Sequence, residues 1–339
     1  MKAILLEAPF KVKIKEIDRP SPRENEVLIK VRATCVCGSD IHAYRGTHPF
    51  RLPPIIPGHE MAGEVVEKGK NVKNLKPGDP VTVEPWSYCE ECDFCREGKF
   101  NLCLNKKGMG TKDWQGSFAE HVVAPEKSVY KLPSDVSFEE GALVEPLAVC
   151  VHVVRKADIT LGDKVVILGA GPIGLGILMC CYEAGANKVI ITDIEEFNLK
   201  FASEIGGIPV NAGKDSLEKM VEKTTGGKGA DIVVIAAGEE SLVSQASRII
   251  KKAGKVVIPA LFEKPAELDM FEIVYGEKSL EGSWAYVSRD FHLAIELLAS
   301  KRIRAKDLIT HRFRIEDARR AFQIIDKREE KVIKAVFVF

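Results

Sequence analysis

A cluster of four cysteines is the most specific chemical signal in the chain, because Cys89, Cys92, Cys95 and Cys103 lie within 15 residues. Four thiolates so spaced can surround one tetrahedral ion, and a closed site of this kind leaves no position for a substrate. The alternative is an iron–sulfur cluster, but the bacterial ferredoxin pattern has three residues before its last cysteine and a proline after it. Here seven residues separate Cys95 from Cys103, and Leu104 follows. The spacing therefore favours a structural zinc site.

A second set of metal-ligand residue types is scattered along the first half of the chain. Cys37 opens a motif that reads CGSDIH, His59 and Glu60 are adjacent, and Glu145 comes much later. Cysteine, histidine and glutamate all bind zinc, and a catalytic zinc ion keeps one position open for water or substrate. Each residue also has a common structural role, as a packed thiol, a turn histidine or an ion-pair partner. Spacing alone leaves both interpretations open.

A glycine-rich turn with the sequence GAGPIG lies between a predicted strand and a predicted helix. Gly169, Gly171 and Gly174 would permit a tight turn, close approach of a pyrophosphate, and close packing of helix on strand. Pro172 begins the helix, whose positive end would face the phosphates. Asp193 ends the next predicted strand, 19 residues after Gly174, and suits the ribose 2′-hydroxyl. No arginine lies nearby for a 2′-phosphate, so the motif favours NAD over NADP; the alternative is a glycine-rich turn in an unrelated α/β fold.

The pattern of predicted elements changes near residue 150. Before it, short alternating runs at 27–33, 63–67 and 80–84 stand between proline and glycine turns, which predicts a compact β structure. After it, strands alternate with helices, which predicts a parallel doubly wound sheet. The predicted strands are 164–168, 188–192, 231–236, 255–258 and 279–284, and the predicted helices are 172–184, 198–205, 241–252 and 290–300. Residues 331–339 alternate again and are predicted to return to the first domain.

The charge balance and the apolar segments exclude several classes of protein. Lys and Arg number 49 and Asp and Glu number 49, so we expect no nucleic-acid partner. The uncharged stretch at 165–182 is almost long enough to cross a bilayer, but its five glycine and proline residues fit a buried strand and helix better. Without a secretory signal, nine cysteines indicate a reducing compartment. We therefore expect a soluble cytoplasmic protein with no membrane partner.

Together these motifs resemble those of the zinc-dependent medium-chain dehydrogenase/reductase family, and the resemblance covers nearly the whole chain. CGSDIH at 37–42, PGHE at 57–60, the cysteine cluster, EPLA at 145–148, the glycine turn and THRF at 310–313 follow in the family's order. The resemblance implies an α/β fold with a GroES-like β-barrel catalytic domain at 1–150 and 285–339, which includes a zinc lobe at 89–103. It also implies a Rossmann NAD-binding domain at 151–284, with a doubly wound parallel sheet, and a homotetramer.

The resemblance also implies ligands for two zinc ions per chain. Cys37 and His59 would bind a catalytic ion, Glu60 would be its third ligand, and Glu145 would bind either directly or through water. The same resemblance assigns the second, structural ion to the cysteine cluster. Which glutamate binds the catalytic ion can change during turnover in such a site.

In the implied reaction, a secondary alcohol gives hydride to NAD and loses its proton. The proton would leave through Ser39 and then the nicotinamide ribose to the His42 imidazole. Family resemblance and position further imply a set of residues that pack against the cofactor or line the nicotinamide. These are Ile173, Pro259, Ala260, Leu261, Ser283 and Trp284.

Within the family, Glu60 and Glu145 stand where the polyol, sugar-acid and threonine dehydrogenase branch has acidic residues. We predict oxidation of a polyol or sugar acid similar to sorbitol, idonate or galactonate. Three departures bear on this: Ala285 replaces an arginine of sorbitol-type enzymes, Asn198 replaces an arginine frequent in threonine dehydrogenases, and Trp114 either narrows the cleft or packs internally.

Several alternatives to this function stay open. Two of them, an L-threonine 3-dehydrogenase and a 2,3-butanediol-type dehydrogenase, share the implied chemistry. A third is a non-catalytic NAD-binding protein whose zinc is only structural. A zinc-free reductase of the same fold would lack both the Cys–His–Glu set and the cysteine cluster.

Overall fold

The chain divides into two units in the computed structural model, which describes all 339 residues. The first unit consists of Met1–Glu145 and Val287–Phe339, so two separate stretches of the chain form it. The second unit consists of the intervening Pro146–Tyr286. None of the helices combines the length and the apolar character needed to span a membrane.

The elements are numbered along the chain. The strands are β1 (Lys2–Ala8), β2 (Lys11–Glu16), β3 (Glu26–Cys35), β4 (Glu60–Lys68), β5 (Pro80–Val83), β6 (Trp86–Ser87), β7 (Lys107–Gly108), β8 (His121–Pro125), β9 (Val129–Lys131), β10 (Lys164–Leu168), β11 (Lys188–Asp193), β12 (Ile208–Asn211), β13 (Ala230–Ile235), β14 (Ile250–Ile258), β15 (Ser279–Gly282), β16 (Ile309–Phe313) and β17 (Lys334–Val338). The α-helices are α1 (Gly38–Arg45), α2 (Asp93–Arg96), α3 (Phe138–Ala142), α4 (Val144–Ala157), α5 (Pro172–Glu183), α6 (Glu196–Glu204), α7 (Leu217–Thr225), α8 (Ser241–Ile249), α9 (Met270–Gly276), α10 (Ser288–Ala299) and α11 (Ala318–Lys327).

The first unit is built on a seven-stranded sheet in the order β16-β17-β3-β4-β5-β9, with β8 also paired to β3. Neighbouring strands are antiparallel except β16 and β17, which are parallel. One core cluster contains the rings of Phe118, Phe322 and Phe337, and Ile41 and Tyr44 of α1 belong to it. Because this burial anchors α1 on the core, the CGSDIH motif has a defined position.

The second unit is built on six parallel strands in the order β12-β11-β10-β13-β14-β15. Counted along the chain within this unit, the order is 3-2-1-4-5-6, which is that of dinucleotide-binding sheets. Strand β10 reads KVVIL, and its last four residues are buried, as expected for a parallel strand covered on both faces. The order reverses at β10, and ligands of such sheets bind at the carboxyl ends of the strands there.

The structure corrects the bounds of several predicted elements. The predicted helix at 241–252 ends at Ile249, because Ile250 begins β14 and pairs with Ala230. Ile249 and Ile250 are both buried, so apolar residues that resembled one helix face belong to two elements. The predicted strand at 279–284 ends at Gly282, and the strand in the tail begins at Lys334 rather than at residue 331. Helix α1 and the β1–β2 hairpin were not predicted.

Candidate active site

Helix α1 carries three of the predicted site residues at its start. The helix begins at Gly38, and Cys37 is its N-cap residue. The Asp40 carboxylate accepts a hydrogen bond from the Cys37 backbone N–H at 3.0 Å, which satisfies one of the free amides of a helix N-terminus. Ser39 and His42 are three residues apart and therefore lie on one side of the helix. The motif thus presents a thiol, a hydroxyl and an imidazole within two helical turns.

The turn before β4 connects the second ligand group to α1. Gly58 has a φ of +92°, and a Cβ at this position would lie 2.3 Å from the Phe118 ring, so only glycine fits. The Gly58 N–H donates to Asp40 Oδ1 at 3.2 Å, and β4 begins two residues later at Glu60. Asp40 therefore joins the start of α1 to the turn that carries His59.

Cys37, His59 and Glu60 form a group whose donor atoms all lie within 4.8 Å of one another. Donor atoms around a tetrahedral zinc ion, with bonds of about 2.0–2.3 Å, lie about 3.3–3.8 Å apart, so the donor atoms of this group would have to move closer by at most about 1.5 Å to bind one ion. Both His59 and Glu60 are buried. One thiolate, one imidazole and one carboxylate fit a zinc ion with an open fourth position.

Asp40 also lies beside the His59 ring. Its Oδ1 lies 3.6 Å from His59 Nδ1, and both side chains are buried. Burial alone would raise the pKa of Asp40, but the charges of His59 and Arg51 and the Cys37 N–H hold that pKa below its usual value. An ionised carboxylate on this side would favour a proton on Nδ1 when Nε2 binds a metal. Asp40 was not predicted, although a Cys-x-x-Asp spacing is compatible with a helix capping box.

A buried lysine contacts the third ligand. Lys334 Nζ donates to Glu60 Oε1 at 2.7 Å and lies 2.5 Å from Oε2. Burial alone would lower the pKa of Lys334, but the Glu60 charge raises that pKa above its ordinary value. Lys334 therefore stays charged at neutral pH, and it competes with a metal for the Glu60 carboxylate. No pattern in the sequence predicts this ion pair.

Glu145 is not a member of the three-residue group. It lies in the first turn of α4 and is buried, whereas the donor atoms within 4.8 Å of one another come from Cys37, His59 and Glu60. The role that the family resemblance implies for Glu145, either as a direct ligand or through water, stays a prediction.

The two predicted relay residues have different partners. Ser39 Oγ accepts a hydrogen bond from Arg51 Nη1 at 2.7 Å, and Arg51 is buried. His42 Nδ1 lies 3.3 Å from Thr47 Oγ1, and His42 is only partly buried. Arg51 was not predicted as a site residue, because an arginine in a proline-rich loop carries no pattern that indicates burial.

The cysteine cluster forms a second group, with all four sulfur atoms within 4.8 Å of one another. It surrounds the short helix α2, of which Cys92 is the N-cap residue and Cys95 an internal one. Hydrogen bonds from the Glu91 and Cys92 backbone lower the pKa of Cys89 to about 6, which favours its thiolate. The Cys89 N–H also donates to Cys103 Sγ at 3.4 Å. Four sulfur donors at these separations fit a closed tetrahedral zinc site.

Cys103→Ser is expected to remove the metal of the cysteine cluster and to destabilise the protein. A structural zinc ion contributes folding free energy directly, so its loss should cost on the order of 2 kcal/mol or more. Metal analysis should find one zinc ion fewer per chain, and the thermal midpoint should fall. Cys180→Ala, which removes a buried thiol of the second unit, should leave the zinc content unchanged. A Cys103→Ser protein with unaltered zinc would contradict the assignment.

The turn between β10 and α5 has the geometry of a phosphate-binding loop. Gly169 has a φ of +109°, and a Cβ at Gly174 would lie 1.9 Å from the Gly169 carbonyl oxygen, so the helix packs directly on the turn. A Cβ at Gly171, the N-cap residue of α5, would meet nothing within 4 Å. Pro172 and Ile173 form the first turn of the helix. Open space at the start of a 12-residue helix suits an anionic group.

Asp193 ends β11 and contacts the glycine turn directly. Its Oδ2 accepts a hydrogen bond from the Ala170 N–H at 2.8 Å, and its Oδ1 accepts one from the Glu195 N–H at 2.9 Å. The carboxylate is therefore fixed beside the turn. Its remaining lone pairs can accept hydrogen bonds from ribose hydroxyls, and its charge would repel a 2′-phosphate.

The residues predicted to line the nicotinamide follow β14 and β15 at the carboxyl edge of the parallel sheet. The Ser283 N–H donates to the Ile258 carbonyl at 2.9 Å, which ties the two strand ends together. The Ser283 hydroxyl is buried and makes no hydrogen bond. Contact of these residues with a cofactor stays a prediction. They are Pro259, Ala260, Leu261, Ser283 and Trp284.

Trp114, one of the departures noted in the sequence, packs inside the first unit. Its Nε1 donates to the Val123 carbonyl at 2.8 Å, and its ring contacts the second core cluster of that unit. This packing favours a structural role for Trp114. Ala285 is another of these departures. Its φ is +49°, which lies in the left-handed region that glycine adopts most readily.

Two family models match the chain. The alcohol dehydrogenase GroES-like domain matches residues 23–134, and the zinc-binding dehydrogenase model matches residues 172–300. The first match includes Cys37, His59, Glu60 and the cysteine cluster, and the second begins at Pro172 in the glycine turn. The matches confirm the predicted fold class, a GroES-like domain with a Rossmann-like domain.

Individual relatives match over almost their whole length. The chain is 38% identical over 342 residues to D-arabitol-phosphate dehydrogenase from Enterococcus avium, with 98% of this chain and 97% of that protein covered. It is 35% identical over 348 residues to D-xylulose reductase A from Aspergillus niger, with 98% and 95% covered. An alcohol dehydrogenase structure from Escherichia coli CFT073, complexed with NADH, has 29% identity and a TM-score of 0.94, with 100% of this chain and 99% of that chain covered.

Proposed function

Because the chain belongs to the zinc-dependent medium-chain alcohol dehydrogenases, in the polyol dehydrogenase branch, we propose that it transfers hydride from a secondary hydroxyl of a polyol or sugar acid to NAD. The observation that carries this proposal is the grouping of Cys37, His59 and Glu60, with donor atoms within 4.8 Å of one another. Three such ligands leave a fourth position open for a hydroxyl. We infer a second zinc ion in the cysteine cluster, and so two per chain.

In the proposed mechanism, the side chains of the first unit hold the metal and move a proton. When bound, zinc supplies a Lewis acid that lowers the pKa of a hydroxyl, and NAD supplies the hydride acceptor. Asp40 would keep the His59 ring in one tautomer. Ser39 would take the alcohol proton and pass its own proton on towards the His42 imidazole. Glu145 would contribute either as a direct ligand or through water.

Relatives support a polyol as the substrate class. The two related sequences are named for a polyol phosphate and for a ketose, and both names describe chains with several hydroxyl groups. The test is NAD reduction by the zinc-loaded protein with sorbitol, xylitol, arabitol and its phosphates, idonate, galactonate, gluconate, threonine and 2,3-butanediol. We expect a strong rate with at least one polyol, polyol phosphate or sugar acid.

Other results of the panel would contradict this substrate class. Oxidation of threonine or 2,3-butanediol alone would identify one of the two alternative dehydrogenases. No oxidation of any alcohol, together with no reduction of the matching ketones by NADH, would favour a non-catalytic NAD-binding protein.

Asp193→Asn is expected to weaken the preference for NAD. The substitution keeps the shape of the side chain beside the Ala170 N–H but removes the charge that would repel a 2′-phosphate. The ratio of kcat/KM with NAD to kcat/KM with NADP should fall about tenfold or more. Asp215→Asn is the matched control, because Asp215 Oδ2 likewise accepts a hydrogen bond from a backbone N–H at the end of a strand, that of Asn211 in β12. This control should not alter the ratio. An unchanged ratio in Asp193→Asn would argue against the assignment of Asp193.

We also propose a homotetramer in a reducing compartment such as the cytoplasm, where thiolate sites persist. The support for assembly is an apolar surface of the second unit, whose side chains are 59–72% exposed. A surface of this kind indicates a protein contact. Light scattering should find four chains per particle, and a monomer would contradict the proposal. The surface consists of Met270, Phe271, Val274 and Tyr275 of α9.

A further inference from the structure

Arg51 is a buried cation that contacts only neutral oxygen atoms by hydrogen bonds. Its side chain is 3% exposed; Nη1 donates to Ser39 Oγ at 2.7 Å and Nη2 to the Met109 carbonyl at 3.3 Å. Its Nε is buried without a hydrogen-bond partner. Asp40 is near enough to feel its charge, but the Asp40 oxygens accept from the Cys37 and Gly58 backbone amides. Burying a charge without a paired carboxylate is costly, so its position needs an explanation.

The loop around Arg51 holds this side chain in place. His48 is buried, and its Nδ1 accepts hydrogen bonds from the backbone N–H groups of Phe50 and Arg51 at 3.3 and 3.1 Å. Burial, with the charge of Arg51, lowers the pKa of His48 to about 4, so this imidazole is neutral and can accept both. The Arg51 guanidinium also lies 5.9 Å from the centre of the Phe50 ring. A local scaffold therefore aims Arg51 at the start of α1.

We propose that Arg51 is a positioning residue for Ser39. Arginine has five N–H donors and no acceptor, so the Ser39 oxygen must accept from it. The Ser39 hydroxyl hydrogen is then turned away from Arg51, towards the next acceptor of the relay. The Arg51 charge also favours the negative charge that develops on Ser39 Oγ during proton transfer.

This inference rests on the proposed alcohol oxidation and its relay. One proton moves from the substrate hydroxyl to Ser39 Oγ as the original Ser39 proton moves on towards His42, and Arg51 keeps all of its protons throughout. A direct role for Arg51 in binding an anionic substrate is the competing explanation. The low exposure of the side chain, and the burial of its Nε, favour the positioning role.

The test is a double-mutant cycle between Arg51 and Ser39, with alcohol oxidation measured on the best substrate of the panel. Arg51→Met should lower kcat about 10²-fold and change KM less than about twofold, since proton-transfer groups contribute about 10²–10⁴-fold. In a Ser39→Ala background, Arg51→Met should cost less than about twofold more, because its partner is already gone. Arg51→Lys keeps the positive charge but not the planar guanidinium with its several N–H donors, so it should recover part of the rate. The solvent isotope effect on kcat should rise in Arg51→Met.

Controls separate this role from damage to the fold. Arg45 lies at the end of the same helix and pairs with Asp326 at 2.6 Å, so Arg45→Met should leave kcat unchanged. Zinc content and unfolding midpoints of all variants are measured alongside. If Arg51→Met does not fold, the cycle is completed with Arg51→Lys.

Two results would overturn the inference while the proposed function stands. The first is a loss of kcat from Arg51→Met that is equally large in the presence and in the absence of the Ser39 hydroxyl. The second is a rise in KM that is confined to phosphorylated or carboxylated substrates, which would indicate direct anion binding. If Ser39→Ala is itself fully active, the relay fails and the inference fails with it. Failure of alcohol oxidation as such would be seen in the unmodified protein before any variant is made.

Discussion

Cys37→Ala is expected to stop alcohol oxidation and to remove one of the two proposed zinc ions per chain. The thiol is one of only three donors in its group, and one of the others, Glu60, is already paired with Lys334. In the variant, the His59 imidazole is therefore the only remaining ligand of the group that is not paired with a lysine. Loss of a Lewis acid removes several kcal/mol of transition-state stabilisation, so kcat/KM should fall on the order of 10⁴-fold or more.

Cys35→Ala is the matched control for this experiment. Cys35 lies two residues earlier, at the end of β3, and burial raises the pKa of its thiol far above the ordinary value. It is a neutral packed thiol outside the ligand group, so its removal should leave both metals and the rate intact. Zinc per chain and the oxidation rate are measured for both variants, and the zinc of the cysteine cluster serves as an internal reference. Full activity in Cys37→Ala would contradict the metal assignment, and equal loss in both variants would indicate damage to the fold.

The second unit could be predicted from the sequence because its determinants are local. Strand β10 is a short apolar run, the glycine turn follows it directly, and α5 begins within that turn. The steric need for glycine arises between neighbours, since a Cβ at Gly174 would collide with the Gly169 carbonyl. The four cysteines are likewise confined to 15 residues. None of these features requires knowledge of which distant strands pair.

The candidate metal site could be predicted only in part, because the groups that tune it come from distant positions. Lys334 lies 274 residues from Glu60. It reaches Glu60 because β17 pairs with β3 and β3 pairs with β4. Nothing in an alternating tail distinguishes a buried lysine from an exposed one before that pairing is known. The Arg51 contact with Ser39 was missed for the same reason, since it depends on the fold of a loop.

Helix α1 was missed for a different physical reason. It is eight residues long and starts with glycine and serine, so neither propensity nor periodicity signals it. Its stability comes from tertiary contacts, with Ile41 and Tyr44 buried in the core, and from the Asp40 hydrogen bond at its start. The residue types of the CGSDIH motif were informative, whereas their helical arrangement required the core around them.

Lys334→Met is expected to destabilise the metal-free protein and to strengthen its response to zinc. The Lys334 and Glu60 side chains are 4% and 1% exposed, so Glu60 would be left as a buried charge without its partner. Breaking a buried ion pair on one side costs about 3–5 kcal/mol. A bound zinc ion can neutralise the same carboxylate without competition from Lys334. Zinc should therefore raise the free energy of unfolding by more in the variant than in the unmodified protein.

Two further variants test whether the expected effect depends on Glu60. Lys278→Met removes another lysine with a buried side chain, but its partner Glu272 is 43% exposed and stays hydrated. That variant should lose less stability and keep the normal zinc response. Lys334→Met combined with Glu60→Gln removes both charges, so the stability of the metal-free protein should recover while the additional zinc response disappears.

The measurement is urea unfolding of each protein without metal and with saturating zinc, together with zinc affinity from competition with a chelator. The zinc of the cysteine cluster contributes equally to every protein and cancels in the comparison. A thiolate and a carboxylate would offset the two charges of a zinc ion, and Lys334 adds one positive charge beside the Glu60 carboxylate. That charge favours loss of a proton from a nearby hydroxyl, and its removal should also slow alcohol oxidation. An unaltered zinc affinity in Lys334→Met would show that Lys334 does not compete for Glu60, and the buried pair would then be a purely structural one.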